Sequence, residues 1–132
     1  MDWKVKNQKN KAVVWNYWQR MNSAKPHEVK GICKKAFDRN INWNGSQPFN
    51  QIRGIDELVT IFWEPLLNSF PDIERVPHIL LGGLSVDEEW VSGYGYLTGT
   101  FVHDWLGIPA TGKKTHINFG QFFVMRDEKI VE

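Results

Sequence analysis

The residues best suited to chemistry are four histidines, one of them beside an acid. His103 is followed directly by Asp104. A carboxylate next to an imidazole can fix its tautomer and raise its pKa, so the pair is a candidate oriented base. His116, Asn118 and Gln121 follow in the next segment of strand-like alternation, and His78 lies in an earlier one. For His78 a hydrogen-bonded core histidine is the commoner outcome. Histidines 27, 78, 103 and 116 show neither HxH nor HExxH spacing, and Cys33 stands alone. No metal site and no internal disulfide are therefore expected. His103, Asp104 and His116 would make a ligand set only if their strands paired. No Ser sits in a glycine-flanked nucleophile elbow, so a Ser/His/Asp triad has no support.

Two glycine patterns imitate phosphate-binding loops. Gly107 to Lys113 fits the opening of a P-loop, but Lys114 stands where Ser or Thr should reach magnesium. The alternating residues Thr115 to Phe119 then read as a strand, where a P-loop must open a helix. Gly93, Gly95 and Gly99 are spaced one residue too widely for a dinucleotide fingerprint. They are read as points of strand curvature.

These side chains must be held by elements that the apolar spacing outlines. Val14, Trp15, Trp18 and Met21 define a helix over about residues 8–23, preceded by a flexible basic tail at 1–7. Pro26 suits the first turn of a second helix, carried by Val29, Ile32, Cys33, Ala36 and Phe37. Ile41 to Asn44 alternates like a short strand. Asp56 is a plausible N-cap for a third helix through Phe70, with a kink or break expected at Pro65. From Ile73 onward the chain reads as sheet: strands at 73–84 (bulged near Gly82-Gly83), 88–101 and 111–125, then a turn at 127–129 and the start of a fourth strand. Helices first and strands later predict an α+β domain. We expect a curved, cone-shaped antiparallel sheet covered by about three N-terminal helices.

Composition bounds the function. The chain has 132 residues, which is one domain, and a net charge of +1 from 16 basic and 15 acidic residues. Such a balance gives no field for nucleic acid or anionic lipid. No apolar run reaches the ~18 residues of a membrane span, and no signal segment opens the chain, so a cytoplasmic location is expected. Aromatics make up 14%, with seven Trp, which is more than a core of this size needs. Their flat faces suit apolar ligands. Trp15, Trp18, Trp43, Phe62, Trp63, His78, Trp90 and Tyr94 are the expected lining of a pocket.

Several stretches resemble the SnoaL-like polyketide cyclase family of the nuclear transport factor 2-like superfamily. They are Leu97 to Phe101, Leu106 to Lys113 and Phe123 to Glu132, with Arg53 to Leu58 and Ser69 to Asp72 upstream. The resemblance runs from about residue 8 to the end. It implies one domain that ends within its last strand, a homodimer packed sheet to sheet, and a small apolar or polyketide-like ligand. It also implies ring closure by an intramolecular aldol step without cofactor, or isomerisation on the same scaffold. Gln121 matches the position of the family's pocket Gln, and His116 is the second candidate on that strand. By parity Gln121 shares a face with Ile117, Phe119 and Phe123, opposite His116 and Asn118.

The sequence departs from the family at three places. Phe101 replaces a His. Glu128 replaces the Gly of the last hairpin, which costs roughly 1 kcal/mol if that residue needs φ > 0. The catalytic Asp of the family falls past Glu132. Two readings follow: a cofactor-free acid–base cyclase or isomerase using Gln121, His116, His103 and Asp104, or a domain that binds a small hydrophobic molecule without reaction.

Overall fold

A computed structural model describes residues 2–132. Helix α1 spans Trp3–Met21 and buries Asn10, Val14, Tyr17, Trp18 and Met21, one stripe at three- and four-residue spacing. Two expectations change here. Residues 3–7, read as part of a flexible tail, are the first turns of α1, tied down by an ion pair of 2.6 Å from Lys6 to Glu89 and by the Asn10 amide on the same carboxylate, while Met1 lies outside the described residues. Trp15 lies outside the buried stripe and is 43% exposed, while its neighbour Tyr17 points inward.

A 3-10 turn, Pro26–Glu28, leads into helix α2, Val29–Ala36, whose Val29, Ile32, Cys33 and Ala36 are buried as their spacing requires. Strands β1 (Asn42–Asn44) and β2 (Gln51–Arg53) form a small antiparallel hairpin. Helix α3 then has three parts: an α turn at Ile55–Glu57, a π-helical segment at Leu58–Trp63, and an α ending at Glu64–Ser69. The expected break at Pro65 is instead this widened turn, in which the Glu64 N–H reaches back to the Val59 carbonyl. Since proline has no N–H to give, a wider turn just before it keeps the helix running.

The main sheet is antiparallel in the order β3-β4-β5-β6, with β3 at Glu74–Ser85, β4 at Glu88–Thr100, β5 at Lys114–Arg126 and β6 at Lys129–Ile130. The three helices and the curved sheet form the α+β architecture expected, with α1 lying across β3 and β4. The bulge, however, falls between Pro77 and Ile79, not at Gly82-Gly83. Pro77 has no N–H for the ladder, and His78 becomes the extra residue. Gly95 lies opposite: a Cβ there would meet the Val76 carbonyl and the Pro77 Cα, so the bulge presses backbone on backbone. Gly93 leaves room for Trp18, whose ring would lie 2.5 Å from an added Cβ.

The two hairpin tips are strained. Val86 and Asp87 both have positive φ (45° and 65°), as do Asp127 and Glu128 (51° and 61°). These are type I′ positions, which favour Gly and Asn and disfavour β-branched residues. Val86 is also 94% exposed, so its side chain packs against nothing that would offset the strain. Val86→Asn is expected to stabilise the fold by about 1 kcal/mol, read as a shift of the urea midpoint at unchanged slope. An unchanged midpoint would mean the tip relaxes without strain.

Candidate functional site

The sheet has two faces of different character, and the sequence-derived site residues divide between them. On the inner face, under α1, stand Arg75 of β3, Leu97 of β4, and Ile117, Phe119, Gln121 and Phe123 of β5. Trp18 comes down from α1 into the space over Gly93 and packs edge-on to Phe119 at 5.4 Å. Its indole N–H donates to Gln121 Oε1 at 3.2 Å, and Arg75 Nη1 donates to the same oxygen at 3.0 Å. Two donors on one oxygen settle the amide's orientation: the carbonyl faces Trp18 and Arg75, and the NH2 group is left to donate elsewhere.

Arg75 is the residue that sequence reasoning missed. It is only 6% exposed, and none of the ion pairs among the described residues involves it. Its guanidinium lies over the rings of Phe119 (4.2 Å) and Trp18 (5.0 Å), where the ring quadrupoles offset part of the charge. The backbone of Arg75 is fixed by Asn22, just past the end of α1, which accepts from its N–H and donates to its carbonyl. Burial lowers the Arg75 pKa to about 10, with Tyr17 acting in the opposite direction. At neutral pH it stays charged. The local sequence Glu74-Arg75-Val76 gives no hint of burial, because a charged residue at the start of a strand is usually solvated.

Tyr17 completes the inner cluster. It packs on Phe37 and Trp63, and burial holds its pKa well above the usual phenol value, so it is a donor and not a base. Trp63 Nε1 is buried beside the Tyr17 hydroxyl and is directed at it. Burial likewise pushes the Cys33 thiol up to about 12, which keeps it unreactive. From Trp63 an arc of aromatic contacts runs through Phe62, Phe49, Trp105 and Phe70 to Phe101, and Trp43 packs on Phe62 at 4.7 Å.

The expected lining therefore does not enclose one hollow. Trp18 and Trp63 are packed into the core, Trp43 and Phe62 belong to the half-buried arc, and Trp15 faces outward. His78, Trp90 and Tyr94 stand on the outer face of the sheet. There His78 stacks on Tyr94, Trp90 on Phe122, and Tyr96 on His116. His116 is thus across the sheet from Gln121, as parity predicts. His103 is exposed, and Asp104 is spent within its loop, where Oδ1 accepts from the Ala110 N–H at 2.8 Å and the backbone carbonyl accepts from Ser69. Of the four catalytic candidates, Gln121 alone faces the inner cluster.

Surface cavities accompany this arrangement. One, about 410 Å³, lies on the outer face among Ile79, Leu81, Tyr94 and Phe122 over Gly120. Another, about 630 Å³, lies between the end of α2 and the start of α3 and mixes Lys34, Arg39 and Arg53 with Asp38, Asp56 and Glu57. Its charges are partly engaged already: Asp56 pairs with Lys30, and Lys129 binds carbonyls at the end of α2. Among the described residues, no group of His, Cys, Asp and Glu gathers into a metal-ligand set. The loop from Gly107 to Gly112 is an exposed connection into β5, with positive φ at both glycines.

A curved antiparallel sheet under three helices, with polar side chains inside an aromatic shell, defines the class as an α+β fold with a mixed polar and aromatic interior. The family model for SnoaL-like polyketide cyclases matches residues 13–132, and the chain belongs to that family. Among solved structures it is similar to a candidate SnoaL-like polyketide cyclase from Jannaschia sp. CCS1 (TM-score 0.73, 18% identity, 95% of this chain and 82% of that one). It is also similar to AclR, a candidate hydroxylase from Streptomyces galilaeus (0.72, 20%, 95% and 75%), and to IdmH, a candidate polyketide cyclase from Streptomyces antibioticus (0.71, 15%, 92% and 86%). At these identities the likeness is one of fold. No curated protein matches the sequence. Among the described residues no helix is long and apolar enough to cross a membrane.

Proposed function

We propose that the chain binds a small apolar carbonyl compound in its cone and stabilises the enolate of that compound in cyclase- or isomerase-type chemistry. The observation that carries this reading is the Gln121 amide. With its oxygen held by Trp18 and Arg75, it presents N–H donors, which is the group a developing enolate oxygen needs. The surrounding aromatic side chains exclude water and strengthen each such bond.

The direct test is α-proton exchange of an aryl β-keto ester, ethyl benzoylacetate, followed by NMR in deuterated buffer. Exchange faster than in buffer, saturating with the ester, supports enolate stabilisation. Saturable binding without acceleration supports the second reading, a non-catalytic ligand-binding domain. One feature favours that alternative: the buried titratable side chains among the described residues are Tyr17, Cys33 and Arg75, none of which is a base at neutral pH. Failure to bind at millimolar concentration would sink both.

The outer face supports a homodimer in this proposal. Leu81, Tyr94 and Phe122 are each more than half exposed and border one apolar cavity, an arrangement that normally marks a protein contact. Phe122→Glu is expected to convert a dimer into a monomer in sedimentation velocity, with the far-UV spectrum unchanged. A wild-type chain that sediments as a monomer at tens of micromolar would refute the dimer.

A further inference from the structure

The Arg75 guanidinium is a buried cation without a counter-ion among the described residues. We propose that the missing partner is the ligand, and that the ligand of this cone carries a carboxylate which docks on Arg75. The proposal rests on the reading of the cone as a small-molecule site and adds the chemical class of what enters it.

Buried arginines are ordinarily matched by a carboxylate or by several carbonyl oxygens, because an ion taken out of water without compensation is costly. Here the guanidinium has one side-chain acceptor, Gln121 Oε1, and that oxygen is shared with Trp18. The faces of Trp18 and Phe119 offset some of the charge but accept no in-plane N–H bond. Nearby donors add to the imbalance. Among the described residues the Gln121 NH2 group, with its two N–H, donates to no protein acceptor. The orphaned amide acceptors, Asn7 Oδ1 and Asn10 Oδ1, lie toward the other end of α1 near Glu89. The region round Arg75 is therefore rich in donors and short of acceptors. A carboxylate supplies two acceptor oxygens in the plane that a guanidinium fork matches, and an apolar body behind it would meet the aromatic side chains.

Calorimetry at neutral pH with 2-naphthoate and its neutral isostere 2-naphthamide tests this. The wild-type chain is expected to bind the acid at least tenfold more tightly than the amide. In Arg75→Met, which keeps the volume and removes the charge, that preference is expected to vanish, while the melting temperature holds or rises because no unpaired ion is buried. Equal binding of acid and amide by the wild-type chain overturns the proposal whatever the variant does, and so does a preference that survives Arg75→Met. If both probes bind equally and α-proton exchange still occurs, the enolate reading stands and the carboxylate falls. If neither probe nor the keto ester binds, both fall.

Discussion

Gln121→Leu is expected to slow α-proton exchange by about 100-fold, the usual effect of removing one donor from an oxyanion-binding set. The variant keeps the apolar volume on β5 but takes away the acceptor shared by Trp18 and Arg75. Because the guanidinium then has no side-chain acceptor at all, stability should fall as well, by about 1–3 kcal/mol. Gln121→Glu separates the two effects. A carboxylate at this position gives Arg75 the ion pair it lacks, so the melting temperature should rise above that of Gln121→Leu and reach or exceed the wild-type value. The same carboxylate repels an enolate, so exchange should stay as slow as in the Leu variant. Retention of wild-type exchange in either variant would remove Gln121 from the chemistry. A Glu variant less stable than the Leu variant would show that Arg75 is already satisfied.

Trp18→Ala is expected to cost about 4 kcal/mol, the middle of the range for truncating a large buried aromatic. Trp18 is fully buried and contacts Phe119, Phe123, Arg75 and Gln121, and its ring fills the place that the absent side chain of Gly93 leaves. A domain of this size has a total stability of about 5–15 kcal/mol, so the loss brings it close to unfolding. Urea denaturation followed by circular dichroism measures it directly. A loss below about 2 kcal/mol would mean that neighbouring side chains collapse into the gap. Trp18→Phe keeps the packing but not the indole N–H. It should cost less, with the larger share of the change appearing at the Gln121 amide.

Some of this was legible from residue order alone. The spacing of Val29, Ile32, Cys33 and Ala36 marked their helix. Alternation from Thr115 to Phe123 placed Gln121 on one face of its strand and His116 on the other, and the structure keeps that division. Periodicity depends only on local backbone geometry, so it survives folding wherever the backbone is regular. The long strands and early helices fixed the α+β class for the same reason.

What periodicity does not carry is which face the helices cover, and it fails where the backbone slips. The bulge at Pro77 to Ile79 breaks the two-residue parity of β3: Arg75 lies inside, while Ile79 and Leu81, an even number of residues further on, lie outside beside Tyr94. Reading His78, Trp90 and Tyr94 as pocket lining assumed one face for all, and tertiary packing put them on the far side of the sheet. The burial of Arg75 is likewise a tertiary outcome. It arises because Asn22 at the end of α1 clamps its backbone and Trp18 closes over its side chain, contacts between residues more than fifty positions apart in the chain. Residue types and spacing thus determined the elements and their two-sidedness. Only the folded chain decided which side became the interior, and that a lone cation would stand there.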